Sequence, residues 1–139
     1  MSTGADVNRT LLILDDEVDA RDIMKFIFEP RGYTVYGEED GAAALVLLRE
    51  CKVAVALVDL LMPGMSGRQF LEEVARLPGK HRPVVIVNSA RRPAEVREEI
   101  RGLDVFDILS KPFELRDVEG RVDRAFAEKA RRAGERTDS

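Results

Sequence analysis

Four polar signals interrupt the apolar stretches of this chain. Asp15-Asp16-Glu17 directly follows Leu11–Leu14, Asp59 closes the run Val53–Val58, Ser89 stands just past Val84–Val87, and Lys111-Pro112 comes after Val105–Leu109. The apolar runs are short enough to be strands, so the polar signals fall at strand ends. Carboxylates brought within a few ångströms repel one another, and such clusters persist when a divalent cation neutralises them or one member stays protonated. Mg2+ fits best, because it takes oxygen ligands in octahedral geometry and keeps several waters. Asp59 can supply both a ligand oxygen and a nucleophilic one, since a carboxylate can take a phosphoryl group to give an acyl phosphate. Transfer of that kind depends on positioning and on balancing charge at the equatorial oxygens. The cation balances one oxygen, Lys111 pairs with a second as a mobile point charge, and the Ser89 hydroxyl donates to a third. Ala90 is small and leaves the phosphorus open to an in-line partner.

These signals converge only if the elements between them alternate in a particular way. After Leu11–Leu14, the apolar residues Ala20, Ile23, Met24, Ile27 and Phe28 recur at helical spacing, so a strand is followed by a helix. Pro30 and Gly32 stop that helix. Thr34–Tyr36 reads as a second strand, and Asp40-Gly41 opens the helix Ala42–Glu50. The unbroken run Val53–Val58 suits a central strand buried on both faces, and helix Gly67–Leu77 follows it. A turn-rich break from Pro78 to Pro83 precedes the strand Val84–Val87 and the short helix Pro93–Arg101, which has proline at its start. A fifth strand, Val105–Leu109, leads into a last helix from Glu114 to about Arg132 with Leu115, Val118, Val122 and Phe126 on one face. Five strand–helix units predict an α/β fold with a five-stranded, doubly wound parallel sheet and helices on both faces, (βα)5 and flavodoxin-like. In such a sheet the functional crevice lies beyond the carboxyl ends of the strands.

Composition excludes several classes. The chain has 139 residues, 45% of them apolar, which suits one domain with one core. Its longest apolar runs fall far short of the roughly 20 residues of a membrane-spanning helix. The opening residues lack the apolar stretch of a secretory signal, so a cytoplasmic location is expected. One cysteine, Cys51, and one histidine, His81, leave no material for a disulfide or for a zinc site built on several thiolates or imidazoles. A net charge of −4 argues against direct nucleic-acid binding.

The string Val58-Asp59-Leu60-Leu61-Met62-Pro63-Gly64-Met65-Ser66-Gly67, the acidic pair after the first strand, Ser89 and Lys111-Pro112-Phe113 together resemble a two-component response regulator receiver domain. The resemblance covers residues 9–128, leaving 1–8 and 133–139 as flexible ends. It implies that Asp59 accepts a phosphoryl group from a sensor histidine kinase or phosphotransfer protein. It also implies that Asp15, Asp16, Asp59 and the backbone carbonyl of Leu61 hold Mg2+, with Mn2+ as the alternative ion. A cis peptide before Pro112, and a phosphorylation-driven change in the face formed by the fourth helix, fifth strand and fifth helix, belong to the same expectation. That face would control a downstream protein target and is compatible with a homodimer, near Asp107 and Arg121. With Ser89 and Pro112, Ile108 marks the switch region. It stands where the family often carries an aromatic residue, and isoleucine is stiff at its first torsion. The signal is then expected to run through the loop Ser89–Pro93 and the fourth helix.

Each residue has a plainer alternative. The acidic triplet can serve as helix N-terminal charge, Lys111 as a solvated loop lysine and Ser89 as an ordinary turn residue. Asn88 is unexpected at an apolar strand end and is read as a cap of the following loop in preference to a site hydrogen bond. Cys51 is expected to be a partly buried helix-end residue, and His81 to lie at the surface with nothing pairing to it as a catalytic base. The methionines read as packing, and the charges of the last helix as a solvated face. A phosphohydrolase of the haloacid dehalogenase type is a rival. Its nucleophile usually follows the first strand with a second aspartate two residues on, where this chain has Glu17 after Asp15. A receiver that docks without phosphorylation, and a receiver that is one part of a larger regulator with a DNA-binding or enzymatic output domain, complete the alternatives.

Overall fold

The computed structural model describes residues 8–138, with side chains through residue 134. The elements run β1 (Thr10–Leu14), α1 (Val18–Phe28), β2 (Thr34–Glu38), α2 (Gly41–Glu50), β3 (Val55–Asp59), α3 (Gly67–Ala75), β4 (Val84–Ser89), α4 (Pro93–Glu99), β5 (Asp107–Ser110) and α5 (Leu115–Asp138). The five strands form one parallel sheet in the order β2-β1-β3-β4-β5. β3 and β4 are buried along their whole length, as their unbroken apolar runs require for strands covered on both faces.

Alternation along the strands divides the interior into two layers. Leu12, Leu14, Ala56, Val58, Val85 and Val87 pack against α2, α3 and α4 through Leu45, Leu48, Phe70, Leu71, Val74 and Val96. Leu11, Ile13, Leu57, Ile86 and Leu109 face α1 and α5 through Met24, Phe28, Val118 and Val122. Local signals delimit the helices. Asp40 Oδ1 accepts from the Ala43 N–H at 2.8 Å and starts α2. Ser66 and Gln69 form a reciprocal capping box at α3. Gly32, at φ +93°, closes the 3-10 turn after α1.

Several boundaries differ from the sequence reading. Val53 and Ala54 are fully buried yet precede β3; Ala54 donates to Thr10 O and accepts from the Val84 N–H, so the apolar run begins where the chain enters the sheet. β4 continues through Asn88 and Ser89, because these residues pair with Asp59 and Ser110. β5 begins only at Asp107, since Val105 packs among the residues below α4 and Phe106 supplies a single bond to Val85 O. The sequence reading ends the last helix near Arg132, whereas α5 runs to Asp138. Of the ends expected to be flexible, residues 1–7 and 139 lie outside the described residues. Asn8 is tied down, donating to Lys52 O at 2.8 Å and accepting from the Thr10 N–H at 2.8 Å. No helix among the described residues is long and apolar enough to cross a membrane.

Gly67 brings the start of α3 against the end of β3. A Cβ there would lie 2.5 Å from Leu60 Cδ2 and 3.1 Å from its Cα. Because Leu60 is buried and its N–H donates to the Asn88 carbonyl, Gly67→Ala is expected to destabilise the fold by about 1–3 kcal/mol. Urea unfolding would measure this, and a midpoint equal to wild type would refute the close packing.

Candidate functional site

The sheet carries its polar residues at its carboxyl end, where helices begin and side chains are not needed to fill the core. Asp15 follows β1, Asp59 closes β3, Ser89 closes β4 and Lys111 follows β5. Asp15 and Asp59 are almost fully buried, at 2% and 6% exposure, while Asp16 is exposed. One carboxylate oxygen from each of Asp15, Asp16 and Asp59 falls within 4.8 Å of the others. Two members of the acidic triplet, Asp15 and Asp16, are thus brought beside Asp59, while Glu17 is not part of the cluster.

Local backbone geometry sets the two buried carboxylates. Asp15 Oδ1 accepts from the Glu17 N–H at 3.0 Å, and Asp59 Oδ1 from the Leu61 N–H at 2.9 Å. Each carboxylate is held by an Asx-type turn and keeps its second oxygen for other partners. Lys111 Nζ bridges them, donating to Asp59 Oδ2 at 2.9 Å and Asp15 Oδ2 at 3.3 Å. Burial pulls the lysine pKa down, but the hydrogen bonds and negative charges of Asp59 and Asp15 together outweigh it, so the net shift is upward from 10.5. The ammonium is charged throughout the neutral range. Lys111 is therefore not a solvated loop residue. Its peptide bond to Pro112 is cis.

Ser89 is 1% exposed. Its Oγ accepts from the Arg91 N–H at 3.0 Å, and its carbonyl accepts from the Lys111 N–H at 2.8 Å. It shares a sheet face with Val87 and, across β5, with Ile108. Ile108 is half-buried against the α2–α4 layer, and its carbonyl accepts from Arg121 Nη1 at 3.2 Å. Arg121 also bonds Asp107 at 2.6 Å and Asp117 at 2.9 Å. The arginine and Asp107 are thus paired within the chain, on the face that the sequence reading gives as compatible with a homodimer.

Asn88 does not cap the loop. It is a strand residue, 3% exposed, and the hydroxyl of Ser89 caps the turn in its place. Two arginines that sequence reasoning missed steady the site's surroundings. Arg21 Nη1 donates to Asp15 O at 2.6 Å. Arg91 Nη2 bonds Glu99 at 2.5 Å, tying the β4–α4 loop to the end of α4. Neither carries a periodic or motif signal, because both act through contacts that exist only after the strands are aligned. Cys51 is half-buried at the end of α2, and His81 Nδ1 lies 3.1 Å from Leu48 O, which only accepts.

The donor set suits a hard divalent cation. The three clustered carboxylates offer only oxygen, and one lysine cannot neutralise them, so Mg2+ satisfies both the ligand chemistry and the charge.

Comparison with known proteins bears on the family and the fold. A family model for the response regulator receiver domain matches residues 11–123. The response regulator GtcR of Aneurinibacillus migulanus is 29% identical over 116 residues, which are 84% of this chain and 47% of the relative. The chain therefore spans about half the length of that curated relative. Among solved structures, a CheY-like response regulator receiver domain protein from Methanospirillum hungatei superposes with a TM-score of 0.80 at 22% identity, covering 89% of this chain and 98% of its own. The receiver domain of Francisella response regulator 1452 gives 0.76 at 26% identity, covering 87% and 98%.

Proposed function

Since this chain belongs to the response regulator receiver domain family, a signalling family of two-component systems, we propose that it is a phosphorylation-dependent switch with Asp59 as acceptor. The observation that carries this reading is the convergence on Asp59: a buried carboxylate with Lys111 Nζ at 2.9 Å and two further carboxylates within reach of one cation. In the proposed reaction a carboxylate oxygen of Asp59 attacks the phosphorus of a phosphohistidine on a sensor kinase or phosphotransfer protein. The P–N bond breaks, its electron pair stays on the imidazole nitrogen, and an acyl phosphate forms on Asp59.

Asp15, Asp16, Asp59 and the Leu61 carbonyl would hold Mg2+, or Mn2+ in its place, and the ion supplies charge neutralisation to the phosphoryl oxygens. Lys111 shifts its hydrogen bonds from carboxylate to phosphoryl oxygen. The Ser89 hydroxyl, whose Oγ accepts from the Arg91 N–H, donates its hydrogen to another phosphoryl oxygen. Arg91 also carries the link to Glu99, so movement of Ser89 is transmitted along the Ser89–Pro93 loop to α4. Ile108 has no polar tip to follow the hydroxyl. The changed α4, β5 and α5 surface would then control a protein target, in the cytoplasm. Hydrolysis of the acyl phosphate by water resets the switch, making the domain a participant in its own phosphorylation and dephosphorylation and not an enzyme acting on small esters. Output through a further domain is compatible with the greater length of the curated relative.

Intact mass after incubation with Mg2+ and phosphoramidate tests the reading. One added phosphoryl group that disappears with chelator is the expected result. No adduct under fast quenching would instead support a receiver that docks without phosphorylation.

A further inference from the structure

Asn88 is the one buried polar side chain of β4 that the chemistry above leaves unused. The residues before it on the same sheet face, Val84 and Ile86, are apolar and fully buried, and leucine or valine would continue the pattern at no polar cost. Instead the position holds a carboxamide whose Oδ1 is buried without a hydrogen-bond partner. A buried carbonyl oxygen left unpaired is destabilising.

The register shows what lies above that oxygen. Asn88 pairs with Asp59 on one side and Leu109 on the other, and paired residues of parallel strands project to the same face. Lys111 lies two residues beyond Leu109 and reaches back to Asp59 and Asp15. To arrive there from the edge of β5, its side chain must cross β4, over two interstrand spacings of roughly 4.8 Å each. On this face, the β4 residue level with Asp59 is Asn88. The lysine ammonium has three N–H donors, and two of them are given to Asp59 and Asp15. One donor and one orphaned acceptor therefore lie on the same face of the same strand ends.

We propose that Asn88 is a positioning residue for Lys111, its Oδ1 accepting the ammonium's remaining N–H when a phosphoryl group on Asp59 draws the lysine away from the carboxylates. The oxygen is unpaired in the unphosphorylated arrangement and paired in the phosphorylated one, so it favours the second. A carbonyl suits this place because it orients the ammonium without adding a fourth negative charge beside the incoming phosphoryl group. The proposal rests on phosphorylation of Asp59 as read above.

Asn88→Leu tests it, with Asn88→Val as the smaller replacement should leucine overpack the strand. The expected result is a thermal midpoint at or above wild type together with phosphoryl incorporation from phosphoramidate slowed by about tenfold, the scale of one charge-assisted hydrogen bond. In a Lys111→Met background the same substitution should produce no further slowing, because its effect passes through the ammonium. A wild-type rate in both Asn88 variants overturns the proposal, as does an equal loss with and without Lys111, which would mean a merely structural role or a bond to trapped water. Failure of the wild-type protein itself to take up phosphate would instead remove the phosphorylation reading, and this proposal with it.

Discussion

Asp59→Ala is expected to abolish the phosphoryl adduct while leaving the domain folded. The chemical part of this expectation is simple, because alanine has no nucleophilic oxygen and acyl phosphate formation requires one. The structural part rests on the neighbours of Asp59. Its carboxylate accepts from the Leu61 N–H and from Lys111, and both bonds are lost in the variant. Against that loss stands relief of repulsion within the cluster of Asp15, Asp16 and Asp59. Lys111 keeps Asp15 as its partner, so no charge is left buried alone. Intact mass and circular dichroism on the same sample check both parts. An adduct that persists in a folded variant, mapped by peptide mass to Asp15 or Asp16, would move the acceptor to the β1 end of the cluster.

Lys111→Met is expected to give the second-largest effect, slowing phosphoryl capture by about 10²–10³, the usual loss when one preorganised donor is removed from developing negative charge. Methionine keeps much of the apolar stem, so the comparison isolates the ammonium. The substitution also leaves two nearly buried carboxylates without their counter-charge. In metal-free buffer it should therefore destabilise the fold, by up to about 3 kcal/mol. Mg2+ should restore more stability to the variant than it adds to wild type, because the cation takes over the neutralisation that the lysine provides.

The same residue predicts a pH dependence. Its folded pKa lies above the ordinary 10.5, so its contribution is full below that value and is lost as pH rises through the folded one. Wild type should lose this increment in alkaline solution and Lys111→Met should have none to lose. Equal phosphorylation rates in the two proteins would show that Lys111 serves only to hold the unphosphorylated carboxylates.

The elements and their order were legible in the sequence because their causes are local. Strand-length apolar runs, the Asp40 cap and the Gly32 stop are recognisable without knowing what they pack against, whereas the Ser66–Gln69 capping box emerges only in the structure. Five alternating units then imply a parallel sheet with right-handed crossovers, and that topology alone brings the residues after β1, β3, β4 and β5 to one edge. The candidate site was legible for this reason: Asp15, Asp59, Ser89 and Lys111 stand at chain positions where strands end, and nothing in a packed core asks for them.

What only the tertiary structure decided depends on register between strands distant in the chain. Asn88 reads as a loop cap until its pairing with Asp59 and Leu109 draws it into β4 and buries its oxygen. Arg121 reads as a charge of the last helix that falls, with Asp107, on a possible dimer face, until β5 sets Asp107 and the Ile108 carbonyl beside it within the chain. Arg21 and Arg91 gain their roles from a carbonyl and a carboxylate placed by neighbouring elements. Apolar periodicity reports which face of an element is buried, and so encodes the layers. It contains no information on which polar atom meets which across the sheet, because those meetings are set by alignment of whole strands and helices against one another.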